Sequence, residues 1–304
     1  MDEIAAAPGR AAAERPFFAI GLVLLAVMLF SGMDAMSKLL VVDYDPFEVV
    51  WGRYVVITAI LAPLVLRRPR HLKSLRLGLQ LARGIGMLGA ALFFIAGLAR
   101  LPIADATAIG FASPLLVTAL SIPLLGERVG PRRWTAVAAG FVGVLVVIRP
   151  GSGAIGWAAL LPLASATCWA LSLVVTRRMR HDDGALTMLF YSTVIGVVLA
   201  SAALPLVWRT PDVRAWAMLA AMGVLSVAGQ YLLIVALTRS AASLVAPFSY
   251  SQIVWSTLMG ILVFGTVPTG ATWLGAGIVI ASGVYIAHRE RIKARRAWRS
   301  PAYP

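Results

Sequence analysis

Long runs of uncharged residues limit how this chain can fold more than any other feature. No charged residue occurs from Ala106 to Gly126, and these 21 positions are enough to cross ~30 Å of hydrocarbon as a helix. A second run, from Ser240 to His288, has no formal charge over 49 positions and is too long for one crossing. With 60% hydrophobic and 13% charged residues, the chain is not a soluble globular domain, and we predict an all-α integral membrane protein.

The first of these runs is predicted to be a broken helix. Ser113-Pro114 lies near its middle, and proline both removes a backbone N–H and disturbs the helix one turn back. Lipid offers no replacement hydrogen-bond partner, so the freed backbone groups need other helices or a water-filled cavity. Broken membrane helices of this kind are typical of the binding sites of carriers.

A weak internal repeat duplicates the broken helix. Residues 100–134 align with residues 239–273 at an offset of 139, which places Phe111 on Tyr250 and Gly126 on Gly265. The same offset relates residues along the whole chain, although chance similarity among Ala-, Leu- and Val-rich helices is an alternative explanation. Five spans in each half is an odd number, so the second half would enter the membrane upside down, as in inverted-topology carriers.

The apolar runs predict ten transmembrane helices arranged as two inverted five-helix repeats. The loops on the side of the N-terminus carry 20 Lys and Arg residues against 4 on the other side, so both termini are predicted to be cytoplasmic. The predicted spans are 17–42, 47–66, 77–99, 102–124, 132–149, 154–176, 185–207, 215–238, 241–264 and 270–288. The predicted domains are a cytoplasmic tail (1–16), a first repeat (17–149), a second repeat (150–288) and a basic cytoplasmic tail (289–304).

Several short motifs, in this order and spacing, resemble those of the drug/metabolite transporter superfamily, in particular its ten-helix EamA-type members. Those motifs are Leu29 to Lys38, Pro46 to Tyr54, Ala104 to Pro114, Gly126-Glu127-Arg128, and Trp134 to Pro150. The segments Met33 to Lys38 and Trp51-Gly52-Arg53 look most like the branch often labelled S-adenosylmethionine uptake transporters. The second half departs from the pattern at Thr266-Val267-Pro268, where the family often keeps an acidic residue, so the two halves are not equivalent.

Charged residues inside the spans form one candidate substrate-binding group. Asp34 and Lys38 are four residues apart and share a helical face, and Arg53 is expected at a similar depth on the next span. Together with Trp51 they would line the outer part of a substrate cavity. Alternatively, Asp34, Lys38 and Arg53 form a closed set of ion pairs that locks spans one and two together, or Lys38 extends to the interface.

A second candidate group combines polar and aromatic residues near mid-membrane. Gln230 and Tyr231 lie in span eight, Tyr250 and Gln252 follow Pro247 in span nine, and Ser113 lies at the break of span four. We predict that these five residues face a central cavity suited to an organic solute with flat and hydrogen-bonding parts. Hydrogen bonding between helices is the alternative role.

These patterns favour a secondary carrier of a small organic metabolite in a bacterial inner membrane, working by alternating access. The resemblance points to amino-acid-like or nucleoside-like zwitterions, S-adenosylmethionine among them, with a proton or a counter-substrate as the candidates for coupling. A channel, a scaffold and a membrane enzyme are the alternatives. The three histidines and single cysteine form no ligand cluster, so no metal, cofactor or enzymatic activity is expected, and the scattered basic residues do not indicate nucleic-acid binding.

Overall fold

A computed structural model describes residues 16–67, 74–126, 130–149, 156–179, 182–239 and 246–299, and over these ranges the chain is helical with no strand. Two short 3-10 segments, Gly156–Ala159 and Ala246–Ser251, precede two of the helices. The eleven helices are α1 (Pro16–Leu40), α2 (Pro46–Leu66), α3 (Leu77–Leu98), α4 (Ile103–Gly110), α5 (Ser113–Leu125), α6 (Pro131–Ile148), α7 (Leu160–Met179), α8 (Ala185–Val207), α9 (Val213–Arg239), α10 (Gln252–Phe264) and α11 (Gly270–Arg299).

The helices account for the ten predicted spans. Nine stretches of the described residues are long and apolar enough to cross a membrane, and the tenth span is α6, whose apolar part, Trp134–Ile148, is shorter. The starts of the predicted spans 154–176 and 241–264 lie outside the described residues. At the other end of the chain, α11 continues to Arg299, past the predicted span end at His288.

The predicted break in the fourth span is present. Helix α4 ends at Gly110, and α5 begins at Ser113 with Pro114 in its first turn. Gly110 is four residues before Pro114, and this is the position whose carbonyl the proline ring would strike in a continuous helix. The corresponding segment of the second half is a 3-10 turn containing Pro247, followed by α10.

The boundaries of α5 and α10 coincide at the offset of 139 residues, because each helix has 13 residues and ends at an equivalent glycine. Gly126 and Gly265 both adopt left-handed conformations, with φ of 69° and 64°, which non-glycine residues rarely adopt. The two halves therefore share a local structure as well as a weak sequence similarity.

Helix packing follows the same two-fold relationship. Helix α3 packs along α7 as α1 packs along α9, while α2 pairs with α8 and α6 with α11. A Cβ added at Gly84 would lie 2.7 Å from Ile195 Cγ2, and one at the equivalent Gly223 would lie 2.6 Å from Val56 Cβ. Each half thus uses a glycine against a β-branched residue of the other half, as expected for close packing of membrane helices.

We call the side of the membrane where α1 begins the near side and the opposite one the far side. On the near side, the Asp183 carboxylate between α7 and α8 accepts hydrogen bonds from the Ser74 hydroxyl (2.5 Å), the Leu75 N–H (3.1 Å) and the Gln80 amide (2.6 Å) at the start of α3. Burial acts to raise the pKa of Asp183, but these hydrogen bonds outweigh it and hold the pKa below its ordinary value.

Candidate substrate-binding site

Three hydroxyl groups meet where α1, α4 and α10 pack together in the interior. Ser31 Oγ lies 3.3 Å from Ser256 Oγ and 3.4 Å from the Gln252 carbonyl oxygen, which belongs to the first residue of α10. Thr107 Oγ1 lies 3.1 Å from Ser256 Oγ and 2.8 Å from the carbonyl oxygen of Ile103. We call Ser31, Thr107 and Ser256 the hydroxyl cluster; each of the three is buried.

Asp34 lies one turn after Ser31 on the same face of α1. Its side chain is only 5% exposed, and its carboxylate accepts one hydrogen bond, from the Gln252 amide at 3.4 Å. Neither Lys38 nor Arg53 forms a salt bridge with it; within the described chain the salt bridge found is Arg76–Asp182 on the near side, at 3.2 Å. Asp34 is therefore a buried carboxylate without a bonded cation.

Lys38 turns away from Asp34 toward the end of α3 on the far side. Its ammonium group donates hydrogen bonds to the carbonyl oxygens of Leu98 and Leu101, both at 2.6 Å, and lies 5.5 Å from the centre of the Phe264 ring. Carbonyl groups at a helix end are natural partners for a cation because they carry the negative end of the helix dipole. The closed set of ion pairs, the alternative to a substrate-binding group, is not formed, and Lys38 links α1 to the α3 terminus.

Arg53 is buried, at 8% exposure, but has few partners. One terminal nitrogen donates to the Met33 sulfur at 3.6 Å, and its guanidinium lies 5.3 Å from the centre of the Tyr54 ring. The Nε–H is buried without a hydrogen-bond partner. A thioether is a weak acceptor, so this guanidinium retains unused donors in a region where water is scarce.

Arg83 is equally buried but has the opposite surroundings. It donates from Nε to Thr176 Oγ1 at 2.8 Å and from Nη1 to the Met188 carbonyl oxygen at 2.6 Å and to the Ser192 hydroxyl. These bonds tie α3 to α7 and α8. Arg83 is thus a structural residue of the near half of the bundle.

Phe111 and Tyr250, which the repeat places at equivalent positions, are in contact, with ring centres 5.0 Å apart and planes at 45°. The Tyr250 hydroxyl lies against Gly283 of α11, where a Cβ atom would overlap it. The two breaks therefore bring one aromatic ring from each half together.

The other predicted residues do not all join this site. Trp51 donates through its indole N–H to Ser201 Oγ at 2.9 Å and packs edge-on against Trp208, so it belongs to the α2–α8 contact. Ser113 and Gln230 are partly buried, Ser113 at the start of α5 and Gln230 on α9.

Tyr231 requires a correction. Its side chain is 66% exposed, on the same face of α9 as the exposed Val224 and Ile234. Consecutive residues of a helix point about 100° apart, so Gln230 and Tyr231 do not face the same direction. The structure places Tyr231 on the outer apolar surface and not in the interior.

Comparison with known proteins identifies the family. The model of the EamA-like transporter family matches residues 17–149 and again residues 156–287. The chain belongs to the EamA-like transporter family. The second match repeats the first, in agreement with the duplicated architecture, and the chain is a multi-pass membrane transporter and not an enzyme.

Relatives of this EamA-like transporter carry different substrate names. A riboflavin transporter of Rhizobium johnstonii is 34% identical over 67% of this chain and 68% of its own length. A riboflavin transporter of Vibrio cholerae is 33% identical over 80% and 81%. An S-adenosylmethionine uptake transporter of Rickettsia bellii is 28% identical over 90% and 94%. A solved crystal structure superposes with a TM-score of 0.62 at 21% identity, over 89% of this chain and 98% of that chain, and shows the fold alone.

The hydroxyl cluster of this EamA-like transporter was missed by the sequence analysis. Ser31 lies three residues before Asp34 and Ser256 four residues after Gln252, so each shares a helical face with a residue that was singled out. Thr107 lies in the broken span itself. The signal was present as spacing, but single Ser and Thr residues in apolar helices commonly bond to their own backbone and attract no attention.

Proposed function

We propose that this chain is a secondary carrier that moves a small organic zwitterion with a flat ring across the bacterial inner membrane by alternating access. Both termini are cytoplasmic in this proposal, in keeping with the excess of Lys and Arg in the loops on the near side. The site residues are Arg53 and Asp34 as charged poles, with Phe111, Tyr250 and Gln252 between the two halves.

The inverted repeat supports alternating access. The contact between α1 and α9 corresponds to the contact between α7 and α3, because the repeat relates α1 to α7 and α9 to α3. Two halves of the same fold in opposite orientation can exchange conformations, so that a site at their boundary opens first to one side and then to the other. Both broken helices meet at this boundary, where Phe111 touches Tyr250.

The main support for a zwitterionic substrate is that two buried side chains of opposite charge, Arg53 and Asp34, are not bonded to each other. Arg53 keeps an unpartnered Nε–H, and Asp34 accepts one long hydrogen bond. Isolated buried charges are costly in a membrane, and a substrate carboxylate held by the guanidinium would offset that cost for Arg53. Asp34 then offers a cation-binding pole to the substrate or to a coupling ion. The S-adenosylmethionine transporters among the relatives carry such a zwitterion.

Riboflavin is the second candidate substrate. Two of the relatives reported above are named riboflavin transporters, and the Phe111–Tyr250 pair offers aromatic faces to a large flat ring. A substrate of this type has less need of the Arg53 guanidinium.

Uptake into proteoliposomes containing the purified chain tests the proposal. Radiolabelled S-adenosylmethionine and riboflavin are each supplied alone and with excess unlabelled competitor. Saturable uptake of S-adenosylmethionine that Arg53→Lys reduces about tenfold or more supports the zwitterion, because lysine keeps the charge but loses the two-pronged donor. Saturable riboflavin uptake that Arg53→Lys leaves unchanged favours the second candidate. Flux that does not saturate with any solute rejects a carrier.

A further inference from the structure

We propose that Ser226 of α9 joins Arg53 in holding the carboxylate of the substrate, and that the Met33 sulfur lies where an oxygen of that carboxylate would bind. This inference deepens the proposed function and rests on it for the class of substrate, a zwitterion with a carboxylate group. It adds a binding residue from the second half of the chain, so the carboxylate would be held between α1, α2 and α9.

Two buried donors from different helices share one sulfur atom as their acceptor. Ser226 Oγ donates to Met33 Sδ at 2.8 Å, and Arg53 Nη1 donates to the same atom at 3.6 Å. Both side chains are buried, Ser226 at 9% and Arg53 at 8% exposure. Arg53 Nε is buried with no hydrogen-bond partner in the described part of the chain. These donors therefore have a thioether as their shared acceptor, and a thioether is a weak one.

The hydroxyl group of Ser226 is directed away from its own helix. Helical hydroxyl groups of this protein commonly donate to a carbonyl oxygen one turn earlier, as Ser201 does to Val197 at 2.7 Å. Ser226 donates across the helix contact to the sulfur atom instead. One turn earlier on α9, a Cβ added at Gly223 would lie 3.5 Å from the Arg53 carbonyl oxygen. The close approach of α9 to α2 at this glycine brings the serine to the acceptor that Arg53 uses.

A carboxylate is a better acceptor for these donors than the sulfur that it would replace. Hydrogen bonds to an ionised oxygen are shorter than neutral ones and about twice as strong. The negative charge would also offset the cost of a guanidinium buried within the membrane. Met33 has an unbranched side chain with three rotatable bonds, so its sulfur can turn aside without a movement of α1. The exchange therefore needs one change of side-chain rotamer.

The equivalent helix contact of the other half does not direct its donors at a sulfur atom. At the offset of 139 residues, the counterparts of Met33, Arg53 and Ser226 are Ser172, Ser192 and Met87. Ser172 and Ser192 each donate to a carbonyl oxygen one turn earlier on their own helix, at 3.0 Å and 2.9 Å. The fold can therefore form this contact with its hydroxyl groups bonded to backbone. The arrangement around Met33 is a feature of one half, as expected for a ligand contact.

Binding to the purified chain in detergent tests the inference separately from transport. Radiolabelled S-adenosylmethionine is compared with decarboxylated S-adenosylmethionine, which lacks the carboxylate but keeps the sulfonium group and the ring system. Ser226→Ala should bind S-adenosylmethionine about tenfold more weakly than the wild type, the usual effect of losing a hydrogen bond to a charged group. Its affinity for the decarboxylated compound should stay at the wild-type value.

Met33→Leu should change the affinity in the opposite direction. Leucine keeps the volume of the side chain but removes the sulfur, so Arg53 and Ser226 lose their shared acceptor until a carboxylate binds. S-adenosylmethionine should then bind about twofold or more tightly than to the wild type, because it relieves donors that are otherwise unsatisfied. If the contact served helix packing alone, Met33→Leu and Ser226→Ala would both weaken the binding of the two compounds alike.

Ser165→Ala is the matched control, because Ser165 is also buried and donates to the Ala90 carbonyl oxygen at 2.7 Å across the α3–α7 contact. It should melt below the wild type and keep the wild-type affinity for S-adenosylmethionine. Unchanged binding of S-adenosylmethionine by Ser226→Ala, or an equal loss for both compounds, overturns the inference and leaves the proposed carrier in place. The expected binding pattern without uptake into proteoliposomes rejects the carrier and retains the carboxylate site. No binding of S-adenosylmethionine to the wild type overturns both.

Discussion

Two arginines with the same burial but different partners offer a sharp test of the site. Arg53 and Arg83 are each 8% exposed. Arg83 donates three hydrogen bonds to Thr176, Met188 and Ser192, whereas Arg53 has a thioether and an aromatic ring as neighbours. We therefore expect Arg83→Lys to act on stability and Arg53→Lys on transport.

The size of the two effects follows from these contacts. A lysine at position 83 can keep about one of the three hydrogen bonds, and at about 1.5 kcal/mol for each bond to a charged group, the loss of two lowers the free energy of unfolding by about 3 kcal/mol. In the Arg53→Lys variant the lysine ammonium still lies beside the Tyr54 ring, and such an interaction is worth about 1 kcal/mol. The free energy of unfolding of this variant should therefore change by less than about 1 kcal/mol.

Thermal unfolding in detergent and uptake into proteoliposomes are measured on both variants. Arg83→Lys should melt several degrees below the wild type, while Arg53→Lys should melt close to it and lose transport of the zwitterion. A melting temperature of Arg53→Lys as low as that of Arg83→Lys would show that Arg53 holds the fold as Arg83 does, and the assignment of Arg53 to the substrate site would fail.

Three further predictions concern the aromatic contact, the near-side loop and the topology. Gly283→Ala should reduce uptake because its Cβ overlaps the Tyr250 hydroxyl, and adding Tyr250→Phe should restore uptake only in part, since ring carbon Cζ would still lie 2.6 Å away; full uptake by Gly283→Ala alone contradicts this. The hydrogen bonds to Asp183 lower its pKa, so their stabilisation is present above the ordinary value of 3.8 and is lost as pH falls through the lowered pKa. Asp183→Asn should therefore melt below the wild type at pH 7, and the difference should shrink below pH 4; a constant difference contradicts this. Cysteines replacing Lys73 and Lys293 should react with an impermeant thiol reagent only from the cytoplasmic side, and periplasmic labelling would reverse the proposed orientation.

Features governed by local backbone chemistry could be predicted from the sequence. The break at Ser113-Pro114 follows from the missing N–H of proline, and the matching ends of α5 and α10 follow from the glycines at positions 126 and 265. The partner of Lys38 could not be predicted, because it depends on the α3 terminus, 60 residues further along the chain. The predicted direction of the Tyr231 side chain was wrong for another reason: the sequence indicated the depth of this residue along α9 but not its rotation about the helix axis.

The duplicated fold also explains why the polar site is hard to recognise in the sequence. A repeat draws attention to positions that agree between halves, such as the two glycine C-caps, and these positions maintain the common architecture. The hydroxyl cluster and Asp34 lie where the halves disagree, because their counterparts at 117, 170 and 173 are apolar. A carrier with two identical halves would have two identical helix contacts, and a ligand that binds to one side of the axis requires that this identity be broken. In an inverted repeat, positions that differ in polarity while their backbone boundaries coincide are therefore the first candidates for substrate contacts.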